Sequence, residues 1–214
     1  MIVAFDFKKE YKDLYSPKIA PSLIDVPKMV FIMVDGKGNP NTSEEYQSAV
    51  ELLYGISYTI KMGKMSGKRP DGYFEYVMPP LEGLWWLNDG SELWDADKDR
   101  FLWTSMIRQP EFVDLPVFEA AKTDLSKKKP KLDASRTRLE ALAEGLCVQA
   151  MHIGSYDDEP RTNAAIAQFI SDNGYASDLG SARRHHEIYL SDPRKTALEK
   201  LRTVIRHPVV NNAE

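Results

Sequence analysis

Cysteine, long apolar runs and excess positive charge are all scarce in this chain of 214 residues, and each scarcity excludes a class of protein. The single cysteine, Cys147, excludes an intramolecular disulfide framework and a cysteine-based zinc cluster. No apolar run approaches the ~20 residues that a membrane-spanning helix needs. With 28 basic and 32 acidic residues the net charge is -4, so the chain lacks the basic excess that neutralises nucleic-acid phosphates.

What remains is the composition of an ordinary globular protein, with 43% hydrophobic and 28% charged residues. The N-terminus has no cationic segment ahead of an apolar core, so no signal peptide is expected. A phosphate-binding Gly-rich loop and a Gly-x-Ser-x-Gly elbow are both missing, and no cofactor is expected. We therefore expect a cytoplasmic protein, one domain over residues 1–214, that binds neither nucleic acid nor a membrane.

Hydrophobic patterning and turn residues predict an alternation of strands and helices along the chain. Pro27 and Gly36 bound a β-rich run, and the acids at Glu44 and Glu45 mark the start of a long helix. The predicted strands cover residues 28–35, 73–78, 84–87, 100–107, 146–153 and 183–189. The predicted helices cover residues 44–62, 110–126, 134–144, 161–173 and 194–205.

The chain contains a weak internal repeat. A strand, a Gly-containing turn, a polar loop, a helix and a further strand occur first in residues 28–108 and again in residues 146–205. A helical segment, residues 110–145, links the two halves. This order predicts an α+β domain with pseudo-twofold symmetry and a central cleft, in which helices 44–62 and 161–173 are equivalent.

Four short runs resemble one known family. The run VMPPLEGLWW at residues 77–86 is specific, whereas LYGISYTIK at 53–61, HIGSY at 152–156 and HEIYLSDP at 186–193 are individually weak. Together they are similar to the GyrI-like small-molecule-binding domain proteins, over residues 28 to 205. The resemblance implies two βαββ-type repeats, with helices on a curved antiparallel sheet and a central pocket.

The same resemblance implies two alternative activities. A stand-alone branch that this chain resembles comprises cyclopropanoid cyclopropyl hydrolases, which open the strained ring of flat, DNA-alkylating natural products and thereby detoxify them. Other members only bind drugs or hydrophobic cations. A third interpretation, a gyrase-inhibitor type of protein partner, has no exposed acidic or aromatic helix in the sequence to support it. The expected partner is a hydrophobic aromatic small molecule.

Glu187 is the first candidate catalytic residue, because a carboxylate in the middle of a strand is unusual unless its face is solvated or lines a cleft. On a period of two, Glu187 shares its face with His185 and Tyr189. The resemblance implies that Glu187 is the pocket carboxylate. Among aromatic rings its pKa is expected to rise, which suits a general base near neutral pH.

Aromatic residues supply the other candidates. Tyr54 and Tyr58 stand four apart on one helix and lie on one face, with Tyr54 as the proton donor and Tyr58 as a lining residue, or both as core. Trp85 and Trp86 must point to opposite faces of a strand. Trp86 is predicted to line the pocket together with Trp103, although core packing is the alternative for each.

The remaining predicted pocket residues are Tyr189, His152 and Tyr156, of which the last two share a parity at a strand-to-loop junction. His185 and His186 alternate faces, so they cannot chelate one ion in a regular strand. A site made of His152, His185 and Glu187 is geometrically conceivable, but a structural histidine is the simpler interpretation, and no metal is predicted.

Overall fold

The computed structural model describes residues 4–63, 67, 69–91, 93, 96–180 and 182–212. These residues form a mixed α+β structure, as the sequence predicts. The described helices are α1 (Phe7–Glu10), α2 (Lys12–Tyr15), α3 (Glu44–Met62), α4 (Leu115–Lys128) and α5 (Glu159–Asp172). The described strands are β1 (Ser22–Val26), β2 (Met29–Lys37), β3 (Leu81–Trp86), β4 (Leu102–Arg108), β5 (Thr137–Leu142), β6 (Gly145–Ile153), β7 (Tyr175–Ser177), β8 (His185–Tyr189) and β9 (Arg202–Asn211).

The strands form a large, curved and open antiparallel sheet in the order β1-β6-β9-β8-β3-β4-β2-β5, with β7 paired to β9. The pairing of β3 with β8 joins the two halves of the chain. On one side of this junction the strands run β3-β4-β2, and on the other β8-β9-β6. Each half thus contributes its strands in the same relative order, as a repeat requires. Superposition of α3 on α5 by one rotation stays a prediction.

Local chemistry explains the best-predicted helix, α3, whose observed bounds confirm the predicted ones. The Ser43 side chain caps its N-terminus by accepting a hydrogen bond from the Tyr46 amide at 3.3 Å. Glu44 and Glu45 complement the helix dipole in the first turn. Leu52, Leu53, Ile56 and Ile60 then recur at helical spacing and are buried.

Two predicted helices are wrong. Residues 137–142 form the edge strand β5, which pairs with β2, and residues 202–211 form β9 in the interior of the sheet. In β9 the β-branched Thr203, Val204 and Ile205 are consecutive and buried, so both faces of the strand are covered. A strand covered on both faces lacks polar–apolar alternation, and its sequence pattern cannot be told from that of a buried helix. Residues 73–78 make only an isolated bridge from Tyr76 to Phe5 instead of a strand.

The sheet has two differently covered faces. Helices α3, α4 and α5 cover one, here called the helix face, where Ile32, Trp103 and Ile107 pack in the core. The N-terminal helices α1 and α2 lie against the other, here called the arm face, with Met106 and Ile188. Within the described part of the chain, no helix is long and apolar enough to cross a membrane.

Candidate functional site

A cavity of about 800 Å³ opens on the helix face, where the two halves of the sheet meet. Helix α3, strands β3 and β8 and the start of α5 all contribute to its wall. Most of the side chains that face it are apolar or aromatic. The aromatic members are Tyr46, Tyr54, Tyr58, Trp85, Phe101, Tyr156 and Tyr189.

One wall of the cavity is a stripe along α3. Tyr46, Val50, Tyr54 and Tyr58 follow one another at intervals of four residues, so their side chains lie on the same face of the helix. The rings of Tyr54 and Tyr58 stack, with centroids 6.2 Å apart and planes inclined by 28°. Burial, and then the neighbouring Tyr58, raises the pKa of Tyr54, so its phenol keeps its proton. The stripe therefore offers flat rings and hydroxyl donors to a ligand.

Glu187 of β8 lies at the floor of the cavity with 14% of its side chain exposed. Its Oε2 accepts a hydrogen bond from the Tyr189 hydroxyl at 2.7 Å, and its Oε1 lies 2.9 Å from His185 Nε2. The Trp85 indole in turn donates to the Tyr189 oxygen at 3.0 Å. The period of two in β8 brings His185, Glu187 and Tyr189 to one face, as predicted.

A second histidine stands behind the first. His185 Nδ1 lies 2.8 Å from Nε2 of His207, a residue of β9 that is buried. Burial, and then the adjacent His185, lowers the pKa of His207 well below its ordinary value, so His207 is neutral. Because a carboxylate can only accept, Glu187 requires the proton of this contact to sit on His185 Nε2. The histidine pair thereby fixes the orientation of Glu187.

Glu159, the first residue of α5, brings a second carboxyl to the same place. It is 8% exposed, and its Oε1 has no hydrogen-bond partner among the described residues. Burial, and then the charge of Glu187, raises its pKa well above the usual range. Glu159, His185 and Glu187 each present an atom within 4.8 Å of the others. The two carboxyls therefore form a pair in which Glu159 holds a proton and Glu187 is ionised.

The predicted rise in the pKa of Glu187 is wrong. Burial does act in that direction, but the hydrogen bonds from His185 and Tyr189 outweigh it and hold the pKa of Glu187 below its ordinary value. The aromatic surroundings have the predicted effect on Glu159 instead, since its carboxyl lacks such donors. Glu187 is consequently an ionised, modest base throughout the neutral range.

Five predicted residues come together in the cavity wall: Glu187, Tyr54, Tyr58, Tyr156 and Tyr189. Tyr156 packs edge-on against Tyr189, with ring centroids 5.9 Å apart. Burial, and then the charge of Glu187, raises the pKa of Tyr156 to about 12. Their roles in binding or catalysis stay predictions.

Three predicted pocket residues lie elsewhere. Trp86 points to the arm face, where the Arg184 guanidinium lies 4.5 Å from its ring centroid beside a separate depression. Trp103 is fully buried and packs edge-on against Tyr46. His152 is buried and makes contacts of 2.8 Å to the Thr162 hydroxyl and 2.9 Å to the Ser155 carbonyl, so it stabilises the turn that leads into α5.

The prediction that Trp86, rather than Trp85, lines the cavity is wrong, because alternate residues of β3 point to opposite faces of the sheet. Trp85 lies on the same face of β3 as Leu81 and Gly83. In the neighbouring strand β8, Tyr189 pairs with Leu81 and Glu187 pairs with Gly83. The two tryptophans do point to opposite faces, as predicted, but the sequence held no information on which face is the cavity.

Tyr46, Glu159 and Asn163 are among the cavity residues that the sequence does not predict. Tyr46 could have been found, since it precedes Tyr54 by eight residues on the same helix. Glu159 and Asn163 are spaced four apart on α5, and this was the available signal for them. Asn163 is 4% exposed, and neither atom of its amide has a partner among the described residues, so it can hold a polar group of a ligand.

Glu159, His185 and Glu187 are also the residues that could hold a metal ion within the described part of the chain. The trio considered from sequence contained His152 where the structure places Glu159. His185 Nε2 and Glu187 already satisfy each other through their hydrogen bond, and the proton on Glu159 offsets the second negative charge. In this cluster the proton on His185 Nε2 and the proton on Glu159 therefore compensate the negative charge of the two carboxyls.

An aromatic cavity with a buried carboxyl pair, set between two halves of an open antiparallel sheet, defines a small-molecule-binding α+β protein. Residues 20–210 match the family model of the GyrI-like small molecule binding domain, and the chain belongs to this family. No curated protein matches the chain at a significant level.

Among the solved structures that are similar to this chain are proteins from Listeria innocua. One, a hydrolase, shares 50% identity with a TM-score of 0.88 and covers 96% of this chain and 100% of its own. Another, an uncharacterized conserved protein, shares 52% identity with a TM-score of 0.91, over 96% of this chain and 100% of its own. The C-terminal domain of EcmrR shares the fold, with 14% identity and a TM-score of 0.52 over 89% of this chain and 97% of its own.

Proposed function

We propose that this protein is a hydrolase that opens the strained cyclopropyl ring of flat aromatic alkylating compounds. The observation that carries the proposal is an ionised carboxylate, Glu187, held by two donors at the floor of an aromatic cavity. The hydrolase from Listeria innocua, 50% identical over its full length, supports the reaction class. Water would react with the electrophilic ring carbon before DNA can. The cellular role would be detoxification in the cytoplasm.

The reaction has a simple balance. Glu187 takes a proton from a water molecule, whose oxygen bonds to the ring carbon while the strained carbon–carbon bond breaks. The released electron pair passes into the aromatic system and appears as a phenolate, which a protonated phenol such as Tyr54 stabilises by donating a hydrogen bond. The phenolate then takes up a proton from solvent, and Glu187 releases the proton that it took from water. Release of ring strain supplies driving force, so a base of modest strength is sufficient.

A second candidate function is sequestration without bond breakage. The low pKa of Glu187 favours it, because an ionised carboxylate among aromatic rings is a suitable counter-ion for a delocalised cation. In that case Glu187 contributes affinity for cationic ligands and no chemistry. The two functions make different predictions for one variant.

Glu187→Gln keeps the size of the side chain and removes its charge and basicity. For the hydrolase we expect turnover of a cyclopropyl-indole alkylator to fall by roughly 10²–10⁴-fold, while the affinity for a neutral aromatic ligand stays the same. The readout is the mass of the ligand, which gains one water on hydrolysis. Glu119→Gln, on the exposed surface of α4, is the matched control.

The same experiment distinguishes sequestration. Ligand that stays intact and bound in one equivalent, with a cationic ligand losing affinity in Glu187→Gln, would support sequestration. If Glu187→Gln hydrolyses the alkylator at the wild-type rate, Glu187 is not the base and the proposed mechanism is wrong.

A further inference from the structure

Glu159 is a buried acid that the opening of a cyclopropyl ring does not use. In that reaction the negative charge moves through the aromatic system to an oxygen on its far side, where a tyrosine can meet it. Glu159, however, lies beside Glu187, at the end of the cavity where water attacks. Its Oε1 has no partner among the described residues, and the residue lines the cavity. A protonated carboxyl held in such a place can serve as an acid for another class of substrate.

The donors around the pair decide which carboxyl keeps the proton. Both oxygens of Glu187 accept hydrogen bonds, at 2.9 Å from His185 and 2.7 Å from Tyr189, and these contacts stabilise its negative charge. Glu159 Oε1 has no partner among the described residues, and the carboxyl is buried beside the negative charge of Glu187, so the neutral form of Glu159 is favoured. Burial raises its pKa in agreement with this geometry. A base and an acid therefore stand side by side.

The separation of the two carboxyls selects the substrate. One oxygen of each carboxyl lies within 4.8 Å of the other. With hydrogen bonds of roughly 2.6–3.2 Å, one carboxyl can reach an attacking water and the other can reach a leaving atom bonded to the same carbon. An epoxide has this arrangement, because the oxygen that leaves is bonded to the carbon that water attacks. An epoxide also demands an acid, since an alkoxide is a poor leaving group without a proton.

We propose that the cavity also hydrolyses aryl-substituted epoxides, with Glu187 as the base for water and Glu159 as the acid for the ring oxygen. Glu187 removes one proton from water, the water oxygen bonds to the benzylic carbon, and the carbon–oxygen bond breaks. Glu159 delivers its proton to the departing oxygen, and the product is a diol. The inference rests on the proposed function, because the same Glu187 activates water in both reactions.

The pair can also reset itself. After one turnover Glu187 carries the proton that came from water, and Glu159 is ionised. Because the two carboxyls lie within 4.8 Å, the proton can return from Glu187 to Glu159 directly or through one water molecule. The His185 and Tyr189 donors favour that return, since they stabilise the ionised form of Glu187. No external acid, metal or cofactor is consumed.

The test uses trans-stilbene oxide, whose two phenyl rings suit the aromatic wall, in water labelled with oxygen-18. We expect the wild-type protein to form the meso diol, by inversion at the attacked carbon, with one labelled oxygen. In Glu159→Gln, diol formation should fall by roughly 10²–10⁴-fold, because the departing oxygen no longer receives a proton from residue 159. Glu159→Asp, which keeps the acid, should recover part of the diol formation, and Glu119→Gln should match the wild type.

The outcomes separate this inference from the proposed function. If the wild type hydrolyses the alkylator but forms no diol above the protein-free rate, the inference is wrong and the proposed function stands. It is also wrong if Glu159→Gln forms the diol at the wild-type rate. If diol forms but the alkylator stays intact, the epoxide inference stands and the proposed substrate is wrong. If neither compound reacts, both fail.

Discussion

The stability of this protein should fall between pH 7 and pH 9 because of one buried histidine. His186 of β8 points to the arm face and is fully buried. Its Nε2 lies 3.0 Å from Glu82, and its Nδ1 lies 3.0 Å from both oxygens of Glu144. Burial alone would lower the pKa of His186, but Glu144 and Glu82 outweigh it and raise the pKa to about 9.

The sign and size of the effect follow from this shift. An unfolded histidine has a pKa of about 6.5, so the folded protein binds the proton more tightly and gains stability at low pH. That gain is complete below pH 6.5 and is lost as the pH rises through about 9. Within this window the slope is about 1.4 kcal/mol per pH unit, which amounts to about 2 kcal/mol between pH 7 and pH 9. The pKa of Glu144 is lowered to about 2, so its effect on the free energy of unfolding changes only in acid and adds nothing between pH 7 and pH 9.

Urea unfolding at pH 7, 8 and 9 measures the loss directly, and His186→Gln should make the free energy of unfolding nearly flat over that range. Where the variant does not fold, the ring protons of His186 in the wild type give the pKa by nuclear magnetic resonance. A wild-type stability that stays constant from pH 7 to pH 9, or a ring that titrates below pH 7, would refute the reasoning.

Three further predictions concern single side chains. Tyr189→Phe removes a donor from Glu187, so its pKa should rise and the acid limb of the pH–rate profile should move to higher pH; an unmoved limb contradicts this. Trp86→Ala, on the arm face, should leave the Kd of a cavity ligand unchanged, and weaker binding would place Trp86 in the site. Gly36→Ala should lower the free energy of unfolding in urea by about 1–3 kcal/mol, because its new methyl group meets the Trp103 ring; an unchanged value contradicts this.

Much of the fold could be predicted because local signals agreed with tertiary structure. Helix α3 has a serine cap, acids in its first turn and a buried stripe, and its bounds were predicted correctly. Strand β2 lies between Pro27 and Gly38 and was predicted to within two residues. By contrast, β5 contains Leu139, Glu140, Ala141 and Leu142, which favour a helix. Its pairing with β2 is a long-range contact that outweighs this local preference.

The sequence predicts those parts of the site that depend on the periodicity of a strand or a helix. Two-residue alternation placed Glu187 with Tyr189, and four-residue spacing placed Tyr54 with Tyr58. Neither rule states which face of a strand carries the cavity, so Trp86 was chosen where Trp85 lines it. Nor does either rule bring α5 onto β8, and the contact between Glu159 and Glu187 depends on that packing.

Strand β8 separates two kinds of polar chemistry by alternation alone. His186, on the arm face, is enclosed by Glu82 and Glu144, and Arg206 donates to Glu144 at 2.8 Å, so the charges there are paired and stabilise the fold. Glu187, on the helix face, lies next to an acid whose Oε1 has no partner among the described residues. A paired network resists change, whereas an incompletely paired one keeps hydrogen-bonding capacity for a ligand. Substitutions at these two neighbouring positions should therefore have different effects. A substitution of His186 should lower the free energy of unfolding, whereas a substitution of Glu187 should lower turnover.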